Sequence, residues 1–485
     1  MALTKVIGVM IEDPSIKEDS SNNLSMGTDS LTTCTTGENN TAYGKSTMKN
    51  TNGVAPVGSD NVAIGEGALE SNTEGYRNVS VGKSSCFSNI GALLYGNSLT
   101  AVGYQTLYYN AEGKDNTAIG YLSMFFNEGG SGNTAVGYRS LYSNIGTTDG
   151  TPTWGAIDGS FNTGVGYEAM LENTSGNSNT ALGWRASFNN TTGNRNTTVG
   201  QEAAGANTTG ANNVALGYKA LNVNNANDNV AVGYQALLSS TSGMCTAVGK
   251  DALLSNTTGI GNTSVGYQAL DATSITHFST AVGRGALTEA TGGSNTAIGY
   301  NAGSQLTTAI SCTALGTSAL TGNATYGNCT GLGNGSEVTA ANQVQLGNSS
   351  TTTYAYGSVQ SRSDYRDKTE VRDTLLGLDF VKKLRPVDYK WNYREDYKTI
   401  DDETGQVTEI ANDGSKTRAR FHHGLIAQEV EELNADFGGY QDHSLCGGED
   451  VKSIGYTEMI APMIKAIQEL TAKVEALEDK LNQTA

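Results

Sequence analysis

The sequence predicts a mainly β protein: a parallel β-roll or β-solenoid shaft of 16–17-residue repeats, then a mixed α/β domain that ends in a coiled coil. Three observations predict it. A short phrase of alternating apolar residues closed by glycine recurs from Asn40 to Gly347. Charged residues rise from about one in ten over residues 1–362 to one in three over residues 363–485. Apolar residues at heptad spacing fill residues 460–485.

Bulk composition narrows the possible functions. With 61 Gly and only 5 Pro in 485 residues, the chain is unlike a single ordinary globule, and repeats are the first expectation. The net charge of −18 divides evenly, with 14 basic against 23 acidic residues before position 363 and 16 against 25 after it. Such a balance disfavours nucleic acid and anionic lipid as partners. The cysteines, Cys34, Cys86, Cys245, Cys312, Cys329 and Cys446, form no paired or His-flanked pattern, so neither a metal centre nor a disulfide framework is expected, and no cofactor. The apolar run Val6 to Ile11 is too short for a secretory signal, and no segment is long enough to span a membrane.

Residues 1–38 are rich in Ser, Thr and Asn and read as an N-terminal attachment segment. Residues 39–357 are the shaft. Its phrase is Asn-Thr/Val-Ala-Val/Ile/Leu-Gly, then Tyr-x-Ala-Leu, then a polar return. Most steps between its glycines are 16 or 17 residues, and the largest insertion lies around residues 147–161. In Asn213-Val214-Ala215-Leu216-Gly217, alternation puts Val214 and Leu216 on one face of a short strand and Ala215 on the other. Gly217 then turns the chain, where positive φ is open to glycine. So short a unit cannot bury its own apolar side and must stack on its neighbours. Eighteen rungs about 4.8 Å apart give a rod on the order of 85 Å.

Two side-chain columns follow. The residue two before the glycine is nearly always Ala, Ser, Gly or Thr, so that face is expected to meet another backbone closely, as the side toward other copies of the chain. Aromatics follow the glycine at Tyr104, Tyr121, Tyr138, Tyr167, Trp184, Tyr218, Tyr234, Tyr267 and Tyr300. Stacked rungs make them a ladder, either self-packing or a platform for sugar rings, and the self-packing reading is the stronger.

Beyond the shaft, residues 373–384 have amphipathic helical spacing, and Val387-Asp388-Tyr389 alternates like a strand. Residues 396–416 read as a hairpin or mobile loop. Residues 421–432 run from a strand through Gly424 into a short acidic helix, with Glu429, Glu431 and Glu432 on a solvated face and His422 and His423 at a strand edge. Ile460, Ile467, Val474 and Leu481 form one heptad seam, Met463, Leu470 and Leu477 the other, and this β-branched/Leu arrangement alone leans toward a dimer.

The shaft phrase resembles the head repeats of trimeric autotransporter adhesins and the repeats of phage tail-fibre shafts. Ser363-Asp364-x-Arg366-x-Lys368, the segment Leu376 to Trp391 with its Leu384-Arg385-Pro386, Gly424-Leu425-Ile426-Ala427-Gln428-Glu429-Val430 and the terminal heptads resemble, in that order, the endosialidase-type intramolecular chaperone domain (peptidase S74) of phage tail fibres and tailspikes. Asp367 stands where many members carry an apolar residue, and Val371 where Ile is common. The resemblance implies a homotrimer whose chaperone part, residues 358–459 with the coiled coil 460–485, templates the shaft and then cuts itself off. It implies Ser363 as nucleophile, Lys368 as base and cleavage between Arg362 and Ser363.

That chemistry is physically coherent. A Ser hydroxyl attacks only when a base takes its proton, and a Lys serves only when neutral, which needs burial or a nearby cation such as Arg366. The resulting expectation is a virion tail fibre made in the host cytoplasm. Its partners are a host-surface glycan or protein receptor and, through its N-terminus, a tail or adaptor protein. A bacterial surface adhesin shares the shaft but calls for an export signal. A polysaccharide-depolymerising tailspike calls for converging carboxylates, which the shaft phrase does not supply.

Overall fold

The computed structural model describes residues 16–19, 21–33, 37–51, 58–73, 75–89, 98–146, 159–272, 275–322, 324–351, 353, 365–393, 397–400, 407–433, 437, 440–444 and 450–484. The chain divides into two compact units, Met1–Gly327 and Asn328–Ala485.

The first unit is a parallel β-solenoid, so the predicted fold class holds. Three-residue strands stack in register from Leu24–Met26, through Thr41–Tyr43 and Val62–Ile64, to Thr313–Leu315, with Ala, Ser, Thr or Gly aligned at the centre of each. The ladder thus begins inside residues 1–38, and Ile16–Glu18 closes its start as an antiparallel strand on Leu24–Met26. Glycine ends each strand for two reasons. Gly217 has φ +131°, and a Cβ there would lie 2.4 Å from the carbonyl oxygen of Gly233 one rung on. The next rung's backbone occupies the space a side chain would need.

The Tyr-x-Ala-Leu piece is a tight coil with two left-handed residues per rung, such as Gln235 at φ +54° and Leu237 at φ +53°. A left-handed non-glycine residue costs about 1–2 kcal/mol. Full burial of a Leu returns about 1.5–3 kcal/mol, and Leu107, Leu221, Leu237, Leu253 and Leu270 are all fully buried. The flanking amides are also satisfied between rungs, Leu237 N–H donating to Ala252 O (2.9 Å) and Gln235 N–H to Tyr218 O (2.9 Å). Burial and ladder bonds therefore outweigh the local strain.

The polar return contributes to the core as well. The Asn that precedes most strands is buried, and its side-chain oxygen accepts the backbone N–H of its counterpart one rung later: Asn196 to Asn179, Asn213 to Asn196, Asn229 to Asn213, at 2.9–3.0 Å. The side-chain amide of Asn196 meanwhile donates to Gly210 O (2.8 Å). Cys245 and Cys312 occupy this Asn place and keep the same backbone bond. Burial pushes the Cys86 thiol up to about 12, and with Cys245, Cys312 and Cys329 it is a buried free thiol.

One expectation is corrected. The small residue two before the glycine does not face other copies: Ala63, Ala101, Ala215 and Ala297 are fully buried inside the coil. Ser264 in the same column donates to Ala269 O of its own rung (2.7 Å). The close backbone is the chain's own, because the coil is only as wide as a strand packed on its return turn. The outward positions are the larger ones, and Val102, Ile119, Leu182, Leu216, Ile298 and Leu315 all lie exposed.

The second unit opens with the parallel pair Thr330–Leu332 and Val344–Leu346. It continues with a short helix Leu378–Val381, an antiparallel pair Val387–Tyr389 with His422–Gly424, and a hairpin of Lys398–Ile400 with Val407–Glu409. The helix Ala427–Leu433, a hairpin of Tyr440–Ser444 with Asp450–Ile454, and the terminal helix Ile460–Thr484 complete it. Phe380, Val430, Phe437 and Met459 form the core, the two rings 5.5 Å apart.

The first helix is shorter than its periodicity predicts. Gly377 starts it, the Glu469 carboxylate accepts the Leu378 N–H (2.9 Å), and Pro386 follows soon after. The hairpin ending at Ile454 carried no recognised sequence signal. No described helix is long and apolar enough to cross a membrane.

Candidate functional site

Ser363 lies outside the described residues, as do Ser361, Arg362 and Asp364, so the structure places only the Lys368 half of the proposed pair. A single 3-10 turn, Tyr365–Asp367, precedes Lys368, whose N–H donates to Tyr365 O (3.1 Å). Tyr365, Arg366 and Lys368 are exposed in the single chain.

The other blocks that carried the resemblance do converge. The guanidinium of Arg385 grips the Glu429 carboxylate in two places, Nε to Oε2 at 3.0 Å and Nη2 to Oε1. This joins Leu384-Arg385-Pro386 to the helix Ala427–Leu433. The Arg385 hydrogen bond holds the Glu429 carboxyl below its ordinary range. Glu431 pairs with Lys452. The solvated face expected for Glu429 and Glu431 is therefore an ion-paired one, because both cations come from segments distant in sequence.

Gly424 leaves room for a close approach: a Cβ there would sit 2.4 Å from the Tyr456 hydroxyl, which accepts the Leu425 N–H (2.9 Å), and would push that ring aside. Beside it a shallow hollow of about 250 Å³ is bordered by Lys383, Arg385, Ile426, Glu429 and Glu432. Its charges are paired or of mixed sign.

His423 meets Asp388 across the strand pair, Nδ1 to Oδ1 at 2.5 Å, with both side chains exposed. His422 lies over Tyr389, ring centroids 6.0 Å apart. The two histidines point to different neighbours and do not converge on one atom. No group of three His, Cys, Asp or Glu side chains suited to a metal occurs among the described residues.

On the terminal helix, Ile460, Met463, Ile467, Leu470, Val474, Leu477 and Leu481 are all exposed, whereas Pro462 and Ala466 are buried. Among the described residues the heptad seam thus stays largely open to solvent.

Residues 363–439 match the protein family described as chaperone of endosialidase, Peptidase_S74. No curated protein and no solved structure matches the chain. The protein therefore carries a Peptidase_S74 chaperone-of-endosialidase domain in its C-terminal region, behind a β-solenoid shaft.

Proposed function

We propose that this chain is a trimeric virion tail fibre for host attachment, assembled by its C-terminal chaperone domain, which is then released by cleavage between Arg362 and Ser363. The observation that carries this reading is the match to a chaperone-of-endosialidase family that starts at Ser363, where the shaft composition ends. Two apolar surfaces uncovered in the single chain support association of copies: the outward Val/Ile/Leu column of the shaft and the heptad seam of the terminal helix.

In this mechanism the Ser363 hydroxyl attacks the Arg362 carbonyl carbon, passing its proton to neutral Lys368. The peptide nitrogen of Ser363 then leaves with a proton, and the Arg362 acyl group is held as an ester on the Ser363 oxygen. Water hydrolyses the ester. Lys368 is exposed in the single chain, so assembly supplies the desolvation that favours its neutral form. Cleavage would thereby follow correct folding.

The test is the mass of the purified assembled protein. Fragments of 362 and 123 residues are expected, with a full-length trimer from Ser363→Ala and from Lys368→Ala. An uncut wild-type trimer, or normal cutting in Ser363→Ala, overturns the cleavage step; a monomeric Ser363→Ala chain overturns the assembly step.

A further inference from the structure

The aromatic side chains fall into two populations, and only one belongs to the repeat. The residue after the turn glycine is aromatic at nine rungs from Tyr104 to Tyr300 and stacks in places, as in Tyr104, Tyr121, Tyr138 and Tyr167, with centroids 4.8–5.4 Å apart. The other population is local. Phe87, Tyr108, Phe125 and Tyr142 stack at 4.9–5.3 Å, and beside them Tyr109 and Phe126 stack at 5.4 Å with planes 3° apart. Tyr109 and Phe125 stand at 87° to each other, so the two stacks form a corner. The same two places hold Gly205 and Ala206 or Leu254 and Ser255 in later rungs, which close without a ring. The solenoid does not need this corner.

Strand register shows where it is open. Ser88, Tyr109, Phe126 and Ser143 form one column on a three-stranded sheet separate from the main ladder. One face of Tyr109 is taken by Phe126, and the other is turned toward Ser88, the residue at the same place one rung earlier, which has no ring. Tyr109 is 43 % exposed, and a concavity of about 450 Å³ lies against it, lined also by Ser88, Ala111, Phe125, Phe126 and Glu128. Asn110 lines it too, but its side chain is engaged in the ladder through Asn89, Gly113 and Asn127.

We propose that this corner is a binding site for an uncharged hexose within a glycan chain, the ring's C–H face stacked on Tyr109 and its hydroxyls meeting Ser88 and Glu128. The volume suits a small ligand, and aromatic walls with a few polar groups are the usual composition of such a site. Charge selects within the class. Among the described residues the ionisable groups in the lining are the Tyr109 phenol and the Glu128 carboxylate, with no cation, and the chain carries −18 overall. Sialic and uronic acids are therefore disfavoured. The exposed Val/Ile/Leu column available to other copies of the chain lies on the main ladder, not on this sheet. The inference rests on the attachment reading above and names the ligand class for it.

The test uses the full assembled protein with cellotetraose, maltotetraose and lactose as neutral probes and tetragalacturonate as the anionic one, read by saturation-transfer NMR and calorimetry. At least one neutral probe is expected to bind. Tyr109→Ala, Tyr109→Leu and Phe126→Ala should weaken it about tenfold, with oligomeric mass unchanged and melting lowered no more than in Tyr121→Ala, which should leave binding intact. Absence of binding by every neutral probe, equal binding of tetragalacturonate, or loss of assembly in all three corner variants overturns the site. Adsorption of the protein to bacterial cells that survives Tyr109→Leu and Phe126→Ala unchanged also overturns it, while leaving the attachment reading intact.

Discussion

Replacing Gly217 by Ala isolates the force that sets the rung repeat. Two effects add at this position. Its φ of +131° is open to glycine and strained for any other residue, at about 1–3 kcal/mol. The new methyl would also lie 2.4 Å from Gly233 O and 2.7 Å from Gly233 C, and prising backbone apart by nearly an ångström adds about 1–3 kcal/mol. The sum is roughly 2–6 kcal/mol. Gly67 provides the control. Its φ is +66°, but its place is taken in other rungs by Gln105, Arg139 and Lys219 at φ +50° to +52°. The nearest atom to a new methyl there is the mobile end of Glu70, at 3.1 Å. Gly67→Ala should therefore change stability by about 1 kcal/mol or less. Because a stacked array need not unfold in one step, the assay is native-state hydrogen exchange. The Gly217 and Gly233 amides, bonded to Val199 O (2.8 Å) and Leu216 O (2.7 Å), report directly. A loss of 2 kcal/mol accelerates their exchange about 30-fold. Unchanged protection in Gly217→Ala, or an equal loss in Gly67→Ala, refutes the reasoning.

The other predictions are narrower. Tyr234 stacks on Tyr218 at 5.1 Å, so Tyr234→Ala should weaken the shaft by about 0.5–1.5 kcal/mol beyond lost burial and lower melting more than cell adsorption; the reverse ranking would make the ladder a binding surface. Burial, aided by the Asp251 and Glu289 carboxylates, raises Asp271 to about 6 from an unfolded value near 3.8. Its protonated form therefore stabilises the fold below about pH 4, and that contribution is lost as pH rises through 6. Asp271→Asn should raise the melting temperature at pH 8 and make little difference at pH 4, and a shift of equal size at both pH values would contradict this. Arg385→Ala should move the Glu429 titration, followed by carbon NMR, back up toward the ordinary carboxylate range, and an unmoved titration would show that the pairing does not form in solution.

Period, strand and turn glycine were all legible in the shaft, because each rung repeats one local solution and local rules suffice to read it. Alternation located Val214-Ala215-Leu216, and the composition step at Ser363 located the start of the family match. The heptads likewise located the terminal helix.

Which face was inside was not legible. Hydrophobicity favours burying Val214 and Leu216 over Ala215, yet Ala215 is buried and Leu216 exposed, because a narrow coil admits only a small side chain where the strand meets its own return turn. The Asn column and the left-handed Leu residues were hidden for a related reason. Their bonds run between rungs 16 or 17 residues apart, so nothing local marks Asn213 as a core residue or Leu237 as left-handed until neighbouring rungs supply the partners. In the C-terminal domain, Arg385 and Glu429 are 44 residues apart. Sequence named both blocks through their resemblance, but only folding brings the guanidinium to the carboxylate, since an ion pair between exposed side chains leaves no local pattern to read.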